Sequence, residues 1–193
     1  MLDAHIWLFK RGIHIGNNFF YVFQHLAWYN LYMKKILLLL LLLGILFFSS
    51  GQTYEQQTLI PSLEKWLPSE PFESSLSKLQ VPYWGKTISV DERGYYPFVE
   101  FILRKSAHFF IFGFIASAVY LILPKHTFRI LTATWITLLL ALGDEYHQSL
   151  TGGRTPTLQD VLLDMAGAVT FLFIFWLVSM MKPKKTKKKA RIR

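Results

Sequence analysis

The 193-residue chain contains no cysteine. That excludes disulfides, thiolate metal centres and cysteine nucleophiles, and removes any need for an oxidising compartment in folding. Charge is also scarce. Only 17% of the residues are Asp, Glu, Lys or Arg, against about 25% in a typical soluble domain. The sequence has no Gly-rich phosphate loop of the Walker or Rossmann kind, no HExxH helix and no serine-hydrolase elbow, so the commonest nucleotide, zinc-peptidase and esterase chemistries have no foothold. Acidic residues are missing from the carboxy terminus: residues 182–193 (KPKKTKKKARIR) carry eight basic side chains and no acidic one.

What is abundant is apolar chain. Hydrophobic residues make up 52% of the total. They gather in four runs, at 36–50 (ILLLLLLLGILFFSS), 106–123, 128–143 and 161–181. A bilayer core of about 30 Å needs about 20 helical residues; the first run reaches that length with its flanks at 33–35 and 51–54. Four such runs leave too little polar chain to cover them in water. The expected fold is an all-α integral membrane bundle of four transmembrane helices, spanning about 35–53, 106–123, 128–145 and 161–181, with an extracytoplasmic loop of about 55 residues.

The net charge of +9 would suggest a nucleic-acid partner on a soluble protein. Its location argues otherwise. Lys10, Arg11, Lys34, Lys35, Lys125, Arg129 and the basic tail supply 14 of the 21 Lys and Arg residues, and four spans put all of them on one side. By the positive-inside rule that side is the cytoplasm, so both termini are expected there, in a multi-pass plasma-membrane protein with no nucleic-acid partner. The tail at 182–193 reads as a cytoplasmic topology signal that also suits anionic lipid.

Opposite it lie the loop 51–105 and the segment 144–160. Apolar spacing predicts short helices over 59–67 and 72–79, a hairpin or extended piece over 83–90, and a helix from Pro97 through Glu100 and Arg104 into the second span. Residues 1–32 show no sustained helical period, and Met33-Lys34-Lys35 before a Leu run looks like a natural amino terminus. The expectation is that 1–32 is a non-native extension, 33–181 the membrane domain and 182–193 the tail; a cleaved signal peptide is the alternative for the first run. Peptides from 1–32 in the native protein would refute the first expectation.

The chemistry-bearing residues fall at the outer ends of the spans. Lys105 and His108 open the second, Asp144-Glu145-Tyr146-His147-Gln148 closes the third, Gly152-Gly153-Arg154 follows, and Asp160 and Asp164 open the fourth. Helical spacing puts Asp144 on a face with His147 and Gln148, and Asp160 on a face with Asp164. His108, Asp144, Glu145 and His147 are the candidate catalytic groups, by imidazole–carboxylate acid–base chemistry. Lys105, Gln148, Arg154, Asp160 and Asp164 are the candidate ligand-binding groups; a guanidinium such as that of Arg154 grips phosphate or carboxylate bidentately. Each has a plainer reading, as a loop-closing ion pair or a satisfied core residue. No resident cofactor or metal is expected, although Asp144, Asp160 and Asp164 together would suit Mg²⁺ or Ca²⁺. Tyr83, Trp84, Tyr95, Tyr96 and Phe98 read as an interfacial aromatic belt, and Gly113 with 116–118 as a close helix contact.

The combination of Lys105-x-x-His108, Asp144-Glu145-x-His147-Gln148, Gly153-Arg154, Asp160-Val161 and Asp164-x-x-Gly167, with Ser49-Ser50-Gly51-Gln52 after the first span, resembles the VanZ-like family over about 34–181. In that resemblance Asp164 stands where many members carry Asn. The resemblance implies a small bacterial membrane protein of the cell envelope, with membrane lipids and a lipid-linked or cell-wall precursor as partners and a link to teicoplanin resistance. Two functions stay open. One is a binding protein for an anionic envelope ligand at the outer face; the other is a membrane-embedded enzyme using His, Asp and Glu. Oligomeric state is open as well.

Overall fold

The computed structural model describes residues 15–83, 85–151 and 157–181, with side chains from residue 26 onward apart from Trp28. The expectations for residues 1–14, for Gly152, Gly153 and Arg154, and for the basic tail lie outside the described residues.

Helix α1 (Ile15–Ser50) holds no proline, and its Leu-rich half is built from strong helix formers. It starts about 20 residues earlier than the sequence suggests and passes Met33 without a break. The reason is physical: Leu26, Tyr29 and Leu31 are apolar yet exposed, so polarity and burial do not alternate there in a helical period.

A cap follows. It comprises a 3₁₀ turn (Glu55–Gln57), α2 (Ile60–Trp66) with Pro61 in its first turn, and α3 (Glu73–Leu76). Next come the antiparallel strands β1 (Val81–Tyr83) and β2 (Lys86–Ile88), paired Val81 with Ile88 and Tyr83 with Lys86. The one-turn helix α4 (Val90–Arg93) has Ser89 as its cap, its hydroxyl accepting the Glu92 N–H at 3.2 Å. The hairpin begins two residues before its predicted start and is the only sheet among the described residues; elsewhere the fold is helical, as expected.

Three long helices complete the chain: α5 (Tyr95–Ile122), α6 (Arg129–Ser149) and α7 (Leu158–Met181). Helix α5 is 28 residues long, about 42 Å at 1.5 Å per residue. Its first half carries the cap core of Ile88, Val90, Tyr95 and Phe98, and its second half joins Phe112, Ile115, Ala116, Ala141, Val161 and Leu172 in the bundle core. Pro97 lies in the first turn of α5, where a missing N–H costs nothing.

Contact is most extensive between α5 and α7, and glycine permits it. A Cβ on Gly167 would sit 2.0 Å from the Phe109 carbonyl oxygen, and one on Gly113 would meet the Phe171 ring at 2.5 Å. The expected close contact at Gly113, Ala116 and Ala118 is therefore present, and the backbones touch one residue from His108. At the far end of the bundle the Lys35 ammonium donates to the Leu121 carbonyl at 3.3 Å, and the Arg129 guanidinium lies 4.1 Å from the centre of the Tyr120 ring. Lys35 and Arg129 thus share one end, as their predicted topology requires.

The exterior is apolar. Leu37, Leu40, Leu41, Phe47 and Phe48 on α1 and Leu162, Phe173 and Ile174 on α7 are at least half exposed, a surface suited to lipid and not to water. Three segments are long and apolar enough to cross a membrane, Tyr29–Ser50, Tyr95–Ile122 and Leu158–Met181. Helix α6, expected as the third span, does not meet that measure.

Candidate functional site

The end of α1, the middle of α5, the end of α6 and the start of α7 meet at one level, beneath the cap. Their polar side chains form four linked groups.

Uppermost is Glu100, fully buried. It accepts from Arg104 Nη2 at 2.7 Å and Nε at 3.1 Å, from the Leu59 N–H at 2.9 Å and from the Thr58 hydroxyl at 3.4 Å. Arg104 also reaches Gln57 Oε1 at 3.2 Å and the Tyr54 carbonyl at 3.4 Å. Every side of this ion pair is engaged, and it fastens the cap to α5.

One residue on, the Lys105 ammonium pairs with Asp160 Oδ1 and donates to the Tyr83 hydroxyl at 2.6 Å; that hydroxyl in turn donates to Asp160. Asp160 Oδ2 accepts from the Thr157 hydroxyl at 3.0 Å, while the Asp160 N–H donates to Thr157 Oγ1 at 3.2 Å. Thr157 and Asp160 are a reciprocal cap on α7, with Asp in the place usually held by Glu or Gln. Burial and the hydrogen bond to Asp160 push the Tyr83 hydroxyl far above its ordinary value, so it remains a neutral donor. Tyr83 was read as part of an aromatic belt. Instead it ties the hairpin to α5 and α7.

The third group surrounds Asp144. Its Oδ1 accepts from the Ser50 hydroxyl at the end of α1, and its Oδ2 from Gln148 Nε2 at 2.7 Å, one turn along α6. Glu145, beside it, accepts the backbone N–H of Thr157 and so holds the entrance of α7 against α6.

The fourth group is the deepest. His108 Nδ1 lies 3.3 Å from Asp164 Oδ1, without the alignment of a hydrogen bond. Asp164 is 1% exposed, and its Oδ1 accepts no hydrogen bond from any described residue. His108, Asp144 and Asp164, from three different helices, each offer a donor atom within 4.8 Å of the others.

A cavity of about 410 Å³ opens between cap and bundle. Lys86, Arg93, Arg104, Lys105, Glu100 and Asp160 line it with Tyr54, Tyr83, Ile88 and Phe101, and His108 and Gln148 reach it as well. Four basic side chains against two acidic ones give it a positive lining.

The structure therefore brings together Lys105, His108, Asp144, Glu145, Gln148, Asp160 and Asp164. It does not bring in His147, whose ring stacks on Phe47 at 4.3 Å and 6° and packs beside Gly51. Sharing a helical face with Asp144 does not suffice, because α1 fills the space on that side. Nor do Asp160 and Asp164 act together: Asp160 is bound to Lys105 and Tyr83, which leaves His108, not Asp160, beside the two deeper carboxylates. Ser50, Tyr83, Glu100, Arg104 and Thr157 were not expected as site residues from the sequence. Three of these had a local signal, Thr157 in the Thr157-x-x-Asp160 cap and Glu100 and Arg104 in their spacing of one turn; Ser50 entered only through the family resemblance and Tyr83 only as a belt residue.

The same elements are those of a known family: the family model described as VanZ/LLP1 matches residues 35–179. The chain belongs to the VanZ/LLP1 family. No curated protein matches it, and no solved structure does. The match spans every described member of the polar cluster, so the cavity and the groups beneath it belong to the VanZ/LLP1 domain.

Proposed function

We propose that this VanZ/LLP1 protein sits in the bacterial plasma membrane with both termini in the cytoplasm. There it binds the anionic head group of a lipid-linked or cell-wall-related molecule at its outer face, and so lowers susceptibility to teicoplanin-like glycolipopeptides. The cavity carries this reading. It combines an excess of two basic side chains over acidic ones, with Lys86 and Arg93 beyond the Arg104–Glu100 and Lys105–Asp160 pairs, and an aromatic and aliphatic wall, the chemistry wanted by a ligand with a charged head and a lipid tail.

The exposure pattern of α6 supports a fourth crossing, which this topology needs. Leu131, Trp135, Leu139 and Leu142 are exposed on α6, whereas Thr137, Asp144, Glu145 and Gln148 are buried. Its low mean hydropathy comes from polar groups that face the bundle, where a membrane helix tolerates them. Expression in a susceptible bacterium tests the function: teicoplanin tolerance should rise with the wild-type chain and not with an Arg93→Ala/Lys105→Ala double variant that accumulates equally. Equal tolerance in both strains refutes the cavity as the cause.

The placement of His108 in the cavity lining, with Asp164 Oδ1 3.3 Å from its Nδ1, favours a second reading, an envelope enzyme with His108 as general acid–base and Asp164 orienting it. Lipid profiling of the same strains separates the two. An envelope lipid converted only in the presence of wild-type protein indicates catalysis; an unchanged profile with raised tolerance indicates binding.

A further inference from the structure

Asp144 and Asp164 bring two carboxylates together in an interior where they are 6% and 1% exposed. Their shared neighbour is a single imidazole. Buried like charges at this spacing are costly unless something neutralises them. Asp144 has its partners in Ser50 and Gln148, but Asp164 points an oxygen into the cluster that takes no hydrogen bond from a described residue. A buried carboxylate oxygen with no such hydrogen bond, aimed among further donor atoms, points to a ligand for the group.

We propose that His108, Asp144 and Asp164 bind one divalent transition-metal ion, zinc foremost. The donor set selects the metal: an imidazole nitrogen disfavours Mg²⁺ and Ca²⁺, and two carboxylates without thiolate disfavour Cu⁺. Charge selects it too, since a neutral imidazole, two carboxylates and a dication sum to zero, the state a low dielectric prefers. The donors lie within 4.8 Å of one another, wider than the roughly 3.4 Å edge of a tetrahedron with zinc bonds of about 2.1 Å. Rotation of three side chains on fixed helices closes that gap. Ser50 and Gln148, which hydrogen-bond the Asp144 oxygens, orient that ligand from outside the coordination sphere. Three protein ligands leave a zinc position for water or for an oxygen of a molecule in the cavity, which His108 lines. The site stands independently of the ligand assigned to the cavity.

The test uses the full chain, purified in detergent, stripped with EDTA and reloaded with Zn²⁺ or Co²⁺. One zinc per chain should survive dialysis, and Co²⁺ should give the visible absorption of a low-coordinate site. Asp164→Asn and His108→Gln should each weaken binding about tenfold or more, while the exposed cap change Glu73→Gln leaves it intact. Substoichiometric zinc in the wild type, or equal affinity in all variants, overturns the site and leaves a proton shared between the carboxylates. Should the variants fail to accumulate, the wild type decides: zinc must raise its melting temperature reversibly, and no shift refutes the proposal.

Discussion

Helix α5 contributes to two largely buried polar pairs, Glu100 with Arg104 and His108 with Asp164, and they are built on opposite plans. Arg104 donates twice to Glu100 Oε1, and the pair draws Leu59, Thr58, Gln57 and Tyr54 around it. His108 and Asp164 meet at 3.3 Å without hydrogen-bond alignment, beside a second carboxylate and with one oxygen open. The first arrangement has no capacity for a ligand. The second is completed by none of its described neighbours. Saturation marks the upper pair as a fastening for the cap, and the lower pair keeps an oxygen with capacity for a further partner.

Substitutions can break that contrast or sharpen it. The largest effect belongs to Glu100→Gln, which removes the buried charge opposite the Arg104 guanidinium and should cost about 3 kcal/mol of stability, read as a lowered melting temperature in detergent and faster proteolysis of the cap. Gly167→Ala should cost about 1–3 kcal/mol by forcing α7 from the Phe109 backbone, and in doing so should displace Asp164 from His108; any zinc affinity should fall with it. Tyr83→Phe removes the hydroxyl that ties the hairpin to the Lys105–Asp160 pair and should cost about 1 kcal/mol, measured in the same unfolding experiment. Smallest is Asp164→Asn in metal-free protein, where removing an uncompensated buried charge should leave stability within about 0.5 kcal/mol of wild type or raise it. A loss there as large as that of Glu100→Gln would mean that both pairs are structural.

The sequence made the bundle legible because its signals are coarse. Runs of Leu and Phe fix spans, Pro61 and Pro97 mark helix starts, and the apolar–turn–apolar pattern near Tyr83 marks the hairpin. Helix α6 falls short of a plain hydropathy measure because Thr137, Asp144, Glu145 and Gln148 are polar and buried, and α1 eluded periodicity because Leu26, Tyr29 and Leu31 are apolar yet exposed. At the site, Asp144 with Gln148 was readable since one turn of helix joins them. The pairing of Asp164 with His108 and the separation of Asp160 from Asp164 were not, because they depend on how closely Gly167 lets α7 approach α5. His147 was misplaced for the same reason, since Phe47 and Gly51 arrive from a different helix. Local spacing locates a residue on its own helix, and the neighbouring helix decides what it meets.

Because the chain has no cysteine, single substitutions report topology cleanly. Ser74→Cys in the cap should label from outside the cell, and Thr127→Cys between α5 and α6 only after the membrane is opened. The reverse pattern would put the cavity in the cytoplasm.

The most direct test of the cavity is ligand binding by wild-type protein in nanodiscs, followed by native mass spectrometry. A polyprenyl phosphate, a neutral polyprenol and inorganic phosphate serve as the three probes. The cavity predicts retention of the polyprenyl phosphate over both others, with loss on Arg93→Ala/Lys105→Ala. Equal retention of the neutral polyprenol, or retention of the phosphate lipid by the double variant, would contradict an anionic head group in the cavity.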